Sequence, residues 1–139
     1  MAATNLAPFM LGGPKLTMTF IATAALGAGI GVIFDTANAG QVVVATAGVQ
    51  VVGFTTSAVQ AGMPVNIAVM GSDAIAQANA AITVSGSPVP CKITSGGQIT
   101  PITSNYDVIV FYAFMSVADT GSVGSYVSGI VSASIAAHS

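Results

Sequence analysis

Compared with itself at an offset of 57 residues, the chain repeats. Residues 25–32 read ALGAGIGV and residues 81–89 read AITVSGSPV, which brings Gly29 onto Gly86, Val32 onto Val89 and Asp35 onto Lys92. Without a gap, Gly40, Gln41 and Val42 fall on Gly97, Gln98 and Ile99, Thr46 on Thr103, and Val52 and Phe54 on Ile109 and Phe111. Further on, GMPVNIAV at 62–69 matches GSYVSGIV at 124–131 if about five residues near 119–123 are inserted. A chain of this kind is built from two copies of one supersecondary unit, so any reading of one half must also hold for the other.

That constraint bears on the run 16–34, LTMTFIATAALGAGIGVIF, which is 19 uncharged residues and long enough on paper to span a bilayer or to imitate a secretory signal. Its second copy carries Pro88, Pro90 and Lys92, which no transmembrane helix would tolerate together. The repeat therefore predicts that neither copy crosses a membrane and that neither is a cleaved leader.

Each half reads as short strands separated by turn residues. Segments 32–35, 41–46, 49–56 and 64–70 are rich in Val, Ile, Phe and Thr and bounded by Gly, Asn or Gly-Met-Pro, and 88–93, 97–103, 106–117 and 125–135 repeat the pattern. The continuous run VIVFYAFM at 108–115 predicts a strand buried on both faces. Residues 72–81 are Ala-rich behind Asp73 and fit either a short helix or an irregular lead-in. The expected fold is all-β: a small barrel or sandwich of two pseudo-repeated halves, about 16–71 and 72–135, within a single domain 16–139. Residues 1–15, with Pro8, Gly12, Gly13 and Pro14 and no periodicity, read as an extended arm.

Charge limits function. Only 4% of residues are charged, namely Lys15, Lys92, Asp35, Asp73, Asp107 and Asp119, against 53% hydrophobic. Two lysines are too few to displace counterions from a phosphate backbone, so no nucleic-acid partner is expected. The one histidine, His138, lies in a terminal tail with no rigid support for a catalytic base, and His, Cys and carboxylates are too scattered for a metal. The four aspartates read as turn or strand-end residues rather than a hydrolytic pair. Gly27, Gly29 and Gly31 lack the following basic residue of a phosphate loop, and the absence of Trp counts against a carbohydrate module. No enzyme activity, cofactor, metal or small-molecule substrate is expected. Cys91 is the only cysteine, which excludes an intrachain disulfide and suits a reducing cytoplasm.

A surface with so little charge predicts association with itself or with a larger partner. Two places present suitable residues. Leu6, Pro8, Phe9, Met10, Leu11 and Lys15 lie on an arm with no core of its own, and Phe111, Tyr112 and Phe114 alternate along a strand with one face available for a subunit interface.

The segments ALGAGIGVIFD, GQVVVATAGVQVVGFT and AGMPVNIAVMG resemble the small β-rich decoration, or cement, proteins of tailed-phage capsids. The resemblance covers about 17–71 and, through the second copy, 82–117. It implies a non-enzymatic virion protein, made in the host cytoplasm and commonly trimeric, that sits on the outer capsid and clamps neighbouring major capsid subunits. An N-terminal arm that engages the shell would match 1–15. The very low charge and the insertion near 119–123 depart from the family pattern at surfaces that would meet the capsid. A self-assembling fibre, sheath or surface-layer protein using exposed strand edges is the alternative.

Overall fold

A computed structural model of the chain describes residues 16–118 and 125–135. The first half contains β1 (Thr17–Ala22), β2 (Gly31–Phe34), β3 (Gln41–Val44), β4 (Gly53–Thr55) and β5 (Pro64–Val69), and the second β6 (Asp73–Ala78), β7 (Val89–Ile93), β8 (Ile99–Pro101), β9 (Val108–Ala113) and β10 (Ser125–Ile135). Each half closes into a five-stranded barrel, in the order β1-β3-β2-β4-β5 and, correspondingly, β6-β8-β7-β9-β10. One neighbour pair in each barrel, β1 with β3 and β6 with β8, is parallel; the remaining pairs are antiparallel. The all-β, pseudo-repeated architecture expected from the sequence is thus the observed one, with two barrels where the sequence pointed to one barrel or sandwich.

The same details recur in both barrels. Leu26 and Val59 exchange backbone hydrogen bonds across an isolated bridge, and so do Ile82 and Val117. The shared glycines also keep their backbone form: Gly29 and Gly86 sit at φ 71° and 85°, and Gly40 and Gly97 at 78° and 74°.

Strand pairing corrects the constant offset of 57. Because Val42 and Ile99 are counterparts, their parallel partners Ala22 and Ala78 are too, which sets β1 on β6 at 56. Their antiparallel partners Phe34 and Ile93 set β2 on β7 at 59. Lys92 therefore corresponds to Ile33 rather than to Asp35. The physical reason is loop length: Gly86 precedes Ile93 by seven residues where Gly29 precedes Phe34 by five, and Ile93 precedes Ile99 by six where Phe34 precedes Val42 by eight.

The run 16–34 forms β1, a turn and β2, and among the described residues no helix is long and apolar enough to cross a membrane. One local expectation is corrected. Residues 73–78 form a strand rather than a helix or irregular lead-in, with Ala74, Ala76 and Ala78 buried and Asp73, Ile75 and Gln77 partly exposed. Alanine favours helices in isolation, but a strand turns all three alanines to one face, inside the larger buried core, and that packing outweighs propensity.

The first barrel has its own core of Ala22, Leu26, Val32, Val42, Val65 and Ile67. The larger core is common to both barrels: Val51, Phe54 and Ala68 from the first pack with Ala74, Ala76, Ile93, Phe111 and Val131 from the second. Phe54 and Phe111 meet edge to face, with centroids 5.5 Å or less apart (5.4 Å) and planes at 62°. The Gln77 N–H donates to the Gly29 carbonyl (2.8 Å) and the Gly48 N–H to the Ile93 carbonyl (3.0 Å). As expected, β9 is buried on both faces at Ile109, Val110 and Phe111, because one face lines its own barrel and the other the joint.

At the joint the chains approach too closely for a side chain at Gly97: a Cβ there would lie 2.5 Å from Ile30 Cγ2 and 2.7 Å from the Gly31 carbonyl oxygen. Gly86 has an equally left-handed φ but open space around it. Gly86→Ala should therefore cost only the backbone strain, about 1–2 kcal/mol. Gly97→Ala should cost that plus overpacking of about 1–3 kcal/mol. Urea unfolding of the two variants side by side measures the difference.

Candidate functional site

The polar side chains of the described surface are engaged in holding turns. Asp35 accepts from the Ala37 N–H (2.9 Å), Asn38 Nδ2 (2.8 Å) and Thr23 Oγ1 (2.8 Å). These bonds, the one from Asn38 foremost, hold its carboxyl below the usual carboxylate range. Asp107 accepts from the N–H groups of Thr103 (2.7 Å) and Ser104 (2.8 Å) and pairs with Lys92 Nζ at 3.2 Å. The Thr103 N–H, then Ser104 and Lys92, lower its pKa. Asp73 opens β6 and is likewise engaged. Among the described residues no group of three or more His, Cys, Asp or Glu converges. Asp119 and His138 lie outside the described residues.

Cys91 is buried in the joint core, and desolvation of its thiolate pushes the thiol up to about 12. A thiol this basic and inaccessible is inert in the folded protein. Labelling with a thiol reagent at neutral pH should proceed at the rate of unfolding and saturate with reagent concentration; fast labelling proportional to reagent would mean an open joint.

The depressed Asp107 pKa stabilises the fold above the ordinary carboxylate pKa, and that contribution is lost as pH falls through the lowered value. Asp107→Asn should lower the urea midpoint at neutral pH by the equivalent of about 1 kcal/mol or less for the ion pair. It should also flatten the acid side of the stability profile.

The surface feature that stands apart is a groove of about 620 Å³ on the first barrel, lined by Met18, Phe20, Phe34, Val52, Val69 and Met70, with Ile33, Gln50 and Val51 completing it. Met18 and Phe20 alternate with threonines on β1 and share the face of buried Ala22, so the barrel's inward face runs on past the end of its core. Phe20 and Phe34 meet edge to face at 5.5 Å. Met18, Phe34 and Met70 are 55%, 55% and 51% exposed, far more than apolar side chains of this size usually are in a soluble fold.

The second copy serves as an internal control. Where the first barrel has Met18 and Phe20, the second has Ala74 and Ala76; where the first has Ile33, the second has Lys92, which pairs with Asp107. The fold does not require large apolar side chains at these positions, because its own repeat has alanines and a lysine there.

Of the residues expected at a subunit interface, Phe111 is corrected: it is fully buried, and its ring is spent on Phe54 within the chain. Tyr112 is partly buried on the other face of β9, and Phe114 is 38% exposed beyond the strand's end. Leu6, Pro8, Phe9, Met10, Leu11 and Lys15 lie outside the described residues. The groove itself was missed in the sequence, although the alternation Thr17, Met18, Thr19, Phe20 was a strand signal within the supposed span.

No protein-family model matches the sequence, and no curated protein matches it. The fold is similar to the crystal structure of the head fiber gp8.5 N base of bacteriophage phi29, with a TM-score of 0.67 over 88% of this chain and 98% of that one. Identity between them is 16%, so what they share is the fold.

Proposed function

We propose that this chain is a structural protein of a bacteriophage virion that adheres to the outer surface of the assembled capsid and stabilises it by clamping neighbouring major capsid subunits. The observation that carries this reading is the likeness to the phi29 head fiber base, which extends over nearly all of that module. The sequence resemblance to capsid decoration proteins points the same way. A chain with only 4% charged residues fits adhesion, since few charges need desolvating when apolar area is buried against a shell.

In this reading the protein acts as a homotrimer, without a cofactor or a chemical step. Leu6, Pro8, Phe9, Met10, Leu11 and Lys15 supply an arm toward the capsid, while Tyr112 and Phe114 remain candidates for subunit contact. A ligand that binds only the assembled shell raises its stability by mass action, and three linked copies add avidity.

The alternative of a fibre, sheath or surface layer formed through exposed strand edges is weakened, because every described strand has a partner on both sides. A fibre component built without strand edges is a second reading, favoured by the neighbour's place in a head fiber. Both readings predict co-sedimentation with assembled shells and not with free capsid subunits. Clamping further predicts a higher melting temperature for the decorated shell, whereas a fibre base would bind and leave it unchanged. Failure to bind shells overturns both.

A further inference from the structure

We propose that in the free protein the groove on the first barrel is occupied by the chain's own N-terminal segment, with Leu6, Phe9, Met10 and Leu11 laid over Met18, Phe34 and Met70. The inference is independent of the capsid reading, since it concerns what the protein does with this surface before it meets any partner.

Three observations select this occupant. The first is position: the described chain begins at Leu16, whose carbonyl accepts from the Val69 N–H (3.1 Å) and whose N–H reaches Ser72 Oγ (3.3 Å). The 15 preceding residues therefore enter directly beside Val69 and Met70, which wall the groove. Leu11 lies five positions before Leu16, a reach of roughly 16 Å when extended, and Gly12, Gly13 and Pro14 provide the chemistry for reversing direction within it.

The second is chemistry. No residue lining the groove is charged, and residues 1–14 carry no charged side chain either, so apolar area can be covered without burying an ion. The third is the divergence between the copies. The second barrel follows β5 through a short linker rather than a long preceding segment, and it carries Ala74 and Ala76 where the first barrel has Met18 and Phe20 in its groove.

A tethered segment binds its site at high effective concentration, so modest contacts suffice to seat it. On a shell, the same residues would have to leave the groove before engaging the capsid, and the groove would then set how readily the arm is released.

The chain contains no Trp, so Phe9→Trp introduces a single fluorescent reporter on the segment. In the full chain the expected result is blue-shifted emission shielded from acrylamide and unchanged on dilution. Adding Phe34→Asp should shift the emission to that of exposed Trp, while unreactive Cys91 shows that the double variant remains folded. Co-refolding the double variant with excess chain of native groove separates the occupants: emission stays exposed if the segment uses its own groove, and recovery of the blue shift would reveal a neighbouring copy's groove and overturn the proposal. Exposed emission in the folded Phe9→Trp chain would overturn it as well. None of these readouts involves a capsid.

Discussion

The contact on which the rest of the structure depends is the joint between the barrels, where Gly97 lies against Ile30 and the Gly31 carbonyl and the ring of Phe54 meets that of Phe111. A five-stranded barrel of some fifty residues encloses little apolar volume, and isolated units of that size are marginal. Here the deficit is made up by a core that spans both halves: Val51, Phe54 and Ala68 of the first belong to the same buried cluster as Ala74, Ile93 and Phe111 of the second. Backbone bonds from Gln77 to Gly29 and from Gly48 to Ile93 fix the relative position of the two halves, so a tandem repeat becomes one body.

Once the joint is made, the two copies are no longer equivalent, and their sequences follow that difference. The alanines of β6 are small because they lie in the joint core, and Met18 and Phe20 are large where the first barrel keeps an open face. On the second barrel Lys92, the counterpart of Ile33, pairs with Asp107, which also ties down the turn at Thr103 and Ser104. Carboxylates that a hydrolase would turn toward a substrate are used here for turn architecture, as at Asp35 with Ala37 and Asn38.

Much of the fold was legible because strand and turn signals agree at the level of single residues. The segments expected at 64–70, 88–93 and 125–135 contain β5, β7 and β10, and the paired glycines Gly29 with Gly86 and Gly40 with Gly97 mark turns that only a left-handed backbone makes. The misses have physical causes. Ala74, Ala76 and Ala78 carry a period of two, but alanine's helix preference hides it until the joint is known. The run containing β1 is as uncharged as a span because loop glycines and alanines carry no charge, and it is the repeat, with Pro88, Pro90 and Lys92 in its second copy, that excludes that reading. Phe111 and Phe114, close together in sequence, differ in fate because one faces the other barrel and the other lies past the strand's end, which periodicity alone does not reveal.

The most direct test of the shared core is differential scanning calorimetry of the intact chain under reversible conditions, with Phe54→Ala alongside. A common core predicts one transition whose calorimetric and van't Hoff enthalpies agree, displaced as a whole to lower temperature by loss of the Phe54 ring, which should cost about 3–5 kcal/mol. Two separate transitions, with Phe54→Ala moving only the one that belongs to the first barrel, would contradict the account.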